Sequence, residues 1–200
     1  MGRKATTRER KTPGPSVQRW LSDLFSYWQQ HGMAHQTMDD WAVAVEKSKA
    51  TLYAYFKSKE EMVEAALAVK LQNIQAFEGP LQDTSRSYVQ RYSDAFELIS
   101  PQLGEISVLF LSDLRTEFPK QMAIVETFLN YVGKVLGEFY QEGFQAGAFR
   151  EVSIPMLVQM DQLFFQQLTD PKFLQGAGIS LKEAVTYFIE LKFQGLLRHH

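Results

Sequence analysis

TMDDWAVAVEKSKATLYAYFKSK, residues 37–59, holds two short helix patterns back to back. The break between them is too short for a loop and too polar for one continuous buried helix, which predicts a helix-turn-helix. Thr37 is a good N-cap, and Asp39 and Asp40 set carboxylates at the positive end of the first helix dipole. Met38, Trp41, Ala42 and Val45 recur at helical spacing and supply an inward face, with the helix ending near Val45. The second pattern restarts at Ser48, another N-cap type, and Leu52 and Phe56 form an apolar i, i+4 pair. Its other side carries Lys49, Tyr53 and Lys57, with small Ala50 and Thr51 beside the first turn.

Such a face suits a DNA major groove. A helix enters with its N-terminal residues against base edges, where Lys donates to guanine and Ala or the Thr methyl meets a thymine methyl. Tyr hydroxyls and flanking lysines more often set register on phosphates. The run TLYAYFKSKEEM, residues 51–62, preceded by Thr37, Ala42 and Ser48, resembles the TetR family of bacterial transcriptional regulators. That resemblance implies phosphate contacts from Thr37, Tyr53, Tyr55 and Lys59 and base contacts from Lys49, Ala50 and Thr51. Ser48 and Lys57 complete the expected DNA-binding set. Two departures stand out. The family usually has Gly in the turn, where this chain has Glu46 and Lys47, and a non-Gly residue at positive φ costs about 1–2 kcal/mol. Trp41, where the family generally has Ile, demands a roomier pocket.

Composition bounds the rest. Two hundred residues, 45% of them hydrophobic, can bury a real core. The absence of Cys removes disulfides, thiol nucleophiles and Cys-based zinc sites. No run approaches the roughly 18 apolar residues of a spanning helix, and the basic N-terminus lacks an apolar leader core, so a cytoplasmic bacterial protein with no membrane partner is expected. The net charge of −2 hides an asymmetry: residues 1–59 carry ten Lys or Arg against five acids, and the remainder 11 against 18. Positive charge gathers with the helix-turn-helix, as a DNA-contacting end requires.

Three segments follow from the pattern. Residues 1–15, with Arg3, Lys4, Arg8, Arg10 and Lys11 ahead of Pro13-Gly14-Pro15, read as a basic flexible arm that either touches DNA or is simply solvated. Residues 16–59 form a three-helix head, its first helix running from about Ser16 to His31. Residues 60–200 form a helical body, opened by the capping box Ser58-x-x-Glu61, that the resemblance makes an effector-binding and dimerisation domain. Helices are expected at about 84–99, 102–113, 119–147, 154–169 and 181–197 after a break at Gly79-Pro80, giving an all-α fold of about nine helices.

Candidate site residues in the body are of two kinds. Tyr92, Phe96, Phe110, Phe128, Tyr131, Asp161 and Phe164 are candidate effector contacts, although aromatic stripes at helical spacing are more often core. Leu157, Phe165, Val185, Phe188, Lys192 and Leu196 lie on the last two helices, whose apolar arcs exceed half the circumference and leave a face over for a homodimer. Asp161 and Lys192 interrupt those arcs, so each needs a partner: either each other, or for Asp161 a ligand. Gly133 and Gly137 admit a close neighbour or leave space for a ligand. No catalytic constellation, metal site or cofactor is expected; His31 and His35 are separated by the helix stop at Gly32, and His199 and His200 have the look of a tag remnant as much as native sequence. The reading is a dimeric regulator released from a palindromic operator in double-stranded DNA by a small molecule, the alternative being a DNA-binding regulator with no effector.

Overall fold

A computed structural model describes residues 11–150 and 152–196. The basic residues before Lys11 and the terminal His199 and His200 lie outside them. Among the described residues every regular element is an α-helix: α1 Pro15–His31, α2 Met38–Ala44, α3 Lys49–Tyr55, α4 Lys59–Gln75, α5 Glu78–Gln82, α6 Tyr88–Gly104, α7 Val108–Glu117, α8 Pro119–Gln145, α9 Ile154–Leu168, α10 Pro171–Ala177 and α11 Leu181–Leu196.

Eleven helices replace the expected nine. Gly79-Pro80 does not end in loop but sits inside the short α5. Pro101 was expected to separate two helices, yet α6 continues through it to Gly104. A proline that close to a helix end forfeits only one late hydrogen bond, and Ser107, whose side chain accepts from the Phe110 N–H, is the true start of α7. Asp170 caps the short α10, which sequence periodicity could not resolve in seven residues.

The buried side chains form two clusters. The larger joins α1 to α4 with α7 and reaches Leu168, Leu174 and Val185, so the three-helix head and the near side of the body share one core. The smaller, around Phe139, Tyr140, Phe149 and Phe193, fills the far end. The glycines of α8 settle which of their two expected uses applies. A Cβ on Gly137 would stand 2.9 Å from Val158, and one on Gly133 3.3 Å from Gln162, so their smallness lets α9 approach closely.

Candidate nucleic-acid interface and body cavity

The head is built from caps. Thr37 accepts from the Asp40 N–H while Asp40 accepts from the Thr37 N–H at 2.6 Å, a reciprocal box that fixes where α2 begins. The Thr37 N–H, and after it the Thr37 hydroxyl donating to the same carboxylate at 2.8 Å, hold the Asp40 carboxyl below the usual carboxylate range. Ser48 caps α3 through the Thr51 N–H at 3.1 Å. Ser58 caps α4 by accepting from the Glu61 N–H, but the Glu61 carboxylate returns to the Lys57 N–H rather than to Ser58, shifting the expected capping box by one residue.

Two non-glycine residues of the head take positive φ, His35 before α2 and Glu46 in the turn between α2 and α3. Glu46 lies at φ +53°. Its N–H donates to the Val43 carbonyl and the Lys47 N–H to the Ala42 carbonyl, the paired bonds of a Schellman ending with Glu46 in the left-handed place that Gly usually takes. Trp41 finds its roomier pocket against Trp28, with ring centroids 4.8 Å apart, and its indole N–H donates to Gln36 at 2.7 Å.

α3 turns Leu52 and the following Phe56 inward, Phe56 meeting Trp20 of α1 edge-on. Its outer side presents Lys49, Ala50 and Tyr53 to solvent beside the partly covered Thr51, with Thr37, Ser48 and Lys57 exposed nearby. Tyr55 is half-buried, its ring beside Phe56. Two lysines differ from expectation. Lys49 is paired with Asp39 of α2 at 2.6 Å, a bond that raises its pKa and keeps it cationic. Lys59 turns back into the fold, donating to the Gln36 carbonyl at 2.6 Å and lying over the rings of Trp41 and Phe118.

The candidate effector residues do not converge on one place. Tyr92, Phe96 and Phe128 line an apolar cavity of about 150 Å³ bounded by α4, α5, α6, α7, α8, α9 and α11. Phe110 is instead buried where head meets body, 4.9 Å from the ring of Phe25. Tyr131 ties α8 to α5 by donating to Glu78. Phe164 stacks on Phe188 at 3.9 Å outside the cavity. Asp161 is fully buried and paired within the chain: the Lys192 ammonium donates to it, and the Tyr140 hydroxyl donates to its second oxygen at 3.0 Å. Burial pushes the Asp161 carboxyl up and the Lys192 ammonium down, each toward its neutral form.

The expected interface set divides likewise. Val185 and Phe165 line the cavity, Leu196 is buried in the far core with Leu157 packed against it, Phe188 is held by Phe164, and Lys192 by Asp161. The apolar face left open on these helices consists of Met156, Met160 and Leu163 on α9 and Tyr187 and Leu191 on α11, the last 73% exposed. An arc wider than half a helix says that one side is surplus but not which.

Sequence reasoning also passed over Asp113. Buried on α7, it accepts from the Met33 and Ala34 N–H groups of the α1–α2 loop, clamping head to body. Gly32 makes room for it, since a Cβ there would stand 2.5 Å from the carboxylate. A charge set between Leu111 and Leu114 was the available signal, the same one that singled out Asp161. Among the described residues no group of three His, Asp or Glu could hold a metal ion, and no helix is long and apolar enough to cross a membrane.

Residues 25–66 match the family described as bacterial regulatory proteins, tetR family. The chain is 23% identical over 179 residues, 89% of its length and 94% of the other's, to an uncharacterized HTH-type transcriptional regulator, YvaF, of Bacillus subtilis (strain 168). Its fold is similar to that of the TetR family transcriptional regulator PfmR from Thermus thermophilus, with a TM-score of 0.63 at 19% identity over 90% of this chain and 97% of that one. It is similar too to the fatty acid degradation regulator FadR from Bacillus halodurans, with a TM-score of 0.64 at 18% identity over 95% and 100%.

Proposed function

We propose that the chain is a member of the tetR family of bacterial regulatory proteins, whose description its residues 25–66 match, and that it acts as a homodimeric transcriptional repressor released from a palindromic operator by a small-molecule effector. The observation that carries the DNA-binding part is α3 itself. Seven residues long, it buries Leu52 and leaves Lys49, Ala50 and Tyr53 uncovered on the opposite side, an arrangement that gains nothing for the core and matches groove chemistry. Thr51 joins Lys49 and Ala50 as a base contact, and Thr37, Ser48, Tyr55 and Lys57 flank that surface as phosphate contacts.

The open face of α9 and α11 supports the dimer. Met156, Met160 and Leu163 at helical spacing beside Tyr187 and Leu191 form a ridge that a second copy covers by two-fold symmetry. Two-fold symmetry then gives each recognition helix one half of a palindrome to read, the half-sites of such operators lying about 34 Å, one turn of duplex, apart.

The cavity supports the effector, and counts against a body packed solid. Leu71 and Ile74 on its wall belong to α4, whose first residue Lys59 reaches back to the loop before α2. Leu111, also on the wall, is flanked on α7 by Phe110 and followed by Asp113, both fastened to the head. A ligand that binds the body unequally in its two conformations therefore acts on the head through two helices. Duplexes enriched from a random pool by the full-length protein test the reading. Lys49→Ala is expected to cost about 1–3 kcal/mol of binding to the enriched sequence and to relax the preference at one base position.

A further inference from the structure

Alone, the apolar cavity is small. About 150 Å³ holds one benzene-sized group, below the roughly 300–1,000 Å³ of sites that take whole ligands. Yet two of its wall residues, Leu129 and Thr169, also line a second hollow of about 380 Å³ between α7, α8 and α9. The two spaces share those two walls, and their volumes together fall within the usual range for a ligand.

Their chemistry is opposite. The cavity is walled by Ile74, Phe77, Phe96, Leu136 and Ile189, while the hollow is lined by Asn130, Gln162 and Gln166 with Arg115, Glu126 and Asp170. Each amide offers a donor pair and an acceptor. The two carboxylates outnumber the single guanidinium, which is moreover engaged, its Nη2 donating to both the carbonyl and the hydroxyl of Thr169 at 3.0 Å. An anionic head would enter against net negative charge, and the one guanidinium of the lining is anchored to Thr169.

We propose that the effector is an uncharged amphiphile, with an apolar group of about six carbons in the cavity and an amide-bearing head in the hollow across Leu129 and Thr169. This rests on the reading that the body takes a small-molecule effector. A carboxylate or a polyanionic thioester of the same chain length is discriminated against by Glu126 and Asp170.

Calorimetric titration of the full-length protein without DNA separates these classes, using N-hexanoylethanolamine, 1-hexanol, hexanoate and hexanoyl-CoA. N-hexanoylethanolamine is expected to bind most tightly. Gln166→Leu and Asn130→Leu, both at exposed positions, are each expected to weaken it about tenfold while leaving 1-hexanol unchanged. Tighter binding of hexanoate or hexanoyl-CoA, no binding of N-hexanoylethanolamine, or indifference to both variants overturns the proposal. The same probes added to the protein–operator complex keep the two readings apart. Release by an anionic probe alone sustains effector control and refutes the uncharged class. Variant-sensitive binding of N-hexanoylethanolamine without release sustains the class and refutes effector control.

Discussion

Glu46 carries a cost that its side chain does not repay with any hydrogen bond among the described residues. Held at φ +53° by the paired bonds that end α2, it occupies a place where Gly is free of the Cβ penalty. Glu46→Gly is expected to raise the thermal midpoint, by about 1 kcal/mol of stability, whereas Glu46→Ala brings no such gain; denaturant melts of the three proteins check this. Asp40 makes the opposite kind of contribution. Its carboxyl is held low in the fold, so the stability it lends is complete at neutral pH and is lost as the pH falls through its folded-state value. Asp40→Asn is expected to flatten the acid side of the melting-temperature profile, and an unchanged acid limb would show the box to be idle. Both residues were legible from sequence because the relevant physics is local: an N-cap three residues from a carboxylate, and a missing glycine. The settings of Lys49 and Lys59 were not, because their partners Asp39, Gln36, Trp41 and Phe118 are chosen by the packing of other elements.

Helix α8 shows how far periodicity reaches. Its start at Pro119 and its length were readable from one unbroken pattern, but the partner that needs its glycines was not. Gly143 is the most constrained: a Cβ there would run into the ring of Phe149, which is itself buried. Gly143→Ala is expected to destabilise by about 1–3 kcal/mol through overpacking, read as a shift in denaturation midpoint with unchanged slope. Between α9 and α11, Asp161 and Lys192 form a pair that burial opposes and mutual attraction retains. Removing either partner alone is expected to cost about 3–5 kcal/mol, and removing both far less than the sum. Additive single costs in a double-mutant cycle would mean that the two do not act together. The need for a partner followed from charge within an apolar arc; the third member, Tyr140, could not be inferred from an aromatic position that reads as core.

The molecule joins a three-helix head to a body whose larger core cluster runs into it without interruption. The all-α class, the head and the surplus apolar face on the last two helices were open to sequence reasoning, since each follows from capping, spacing and charge balance. The cavity was not, because Leu71, Ile74, Leu129 and Ile189 come together from several helices whose relative rotations no single pattern reports. The central claim is that paired α3 helices read a duplex, and binding to an enriched duplex across a salt series, with protomer stoichiometry counted, tests it most directly. Two protomers per duplex are predicted, with a marked preference over a scrambled sequence that Lys49→Ala diminishes at matched salt. A monomer that ignores every duplex at low ionic strength, or equal binding by parent and Lys49→Ala, contradicts it.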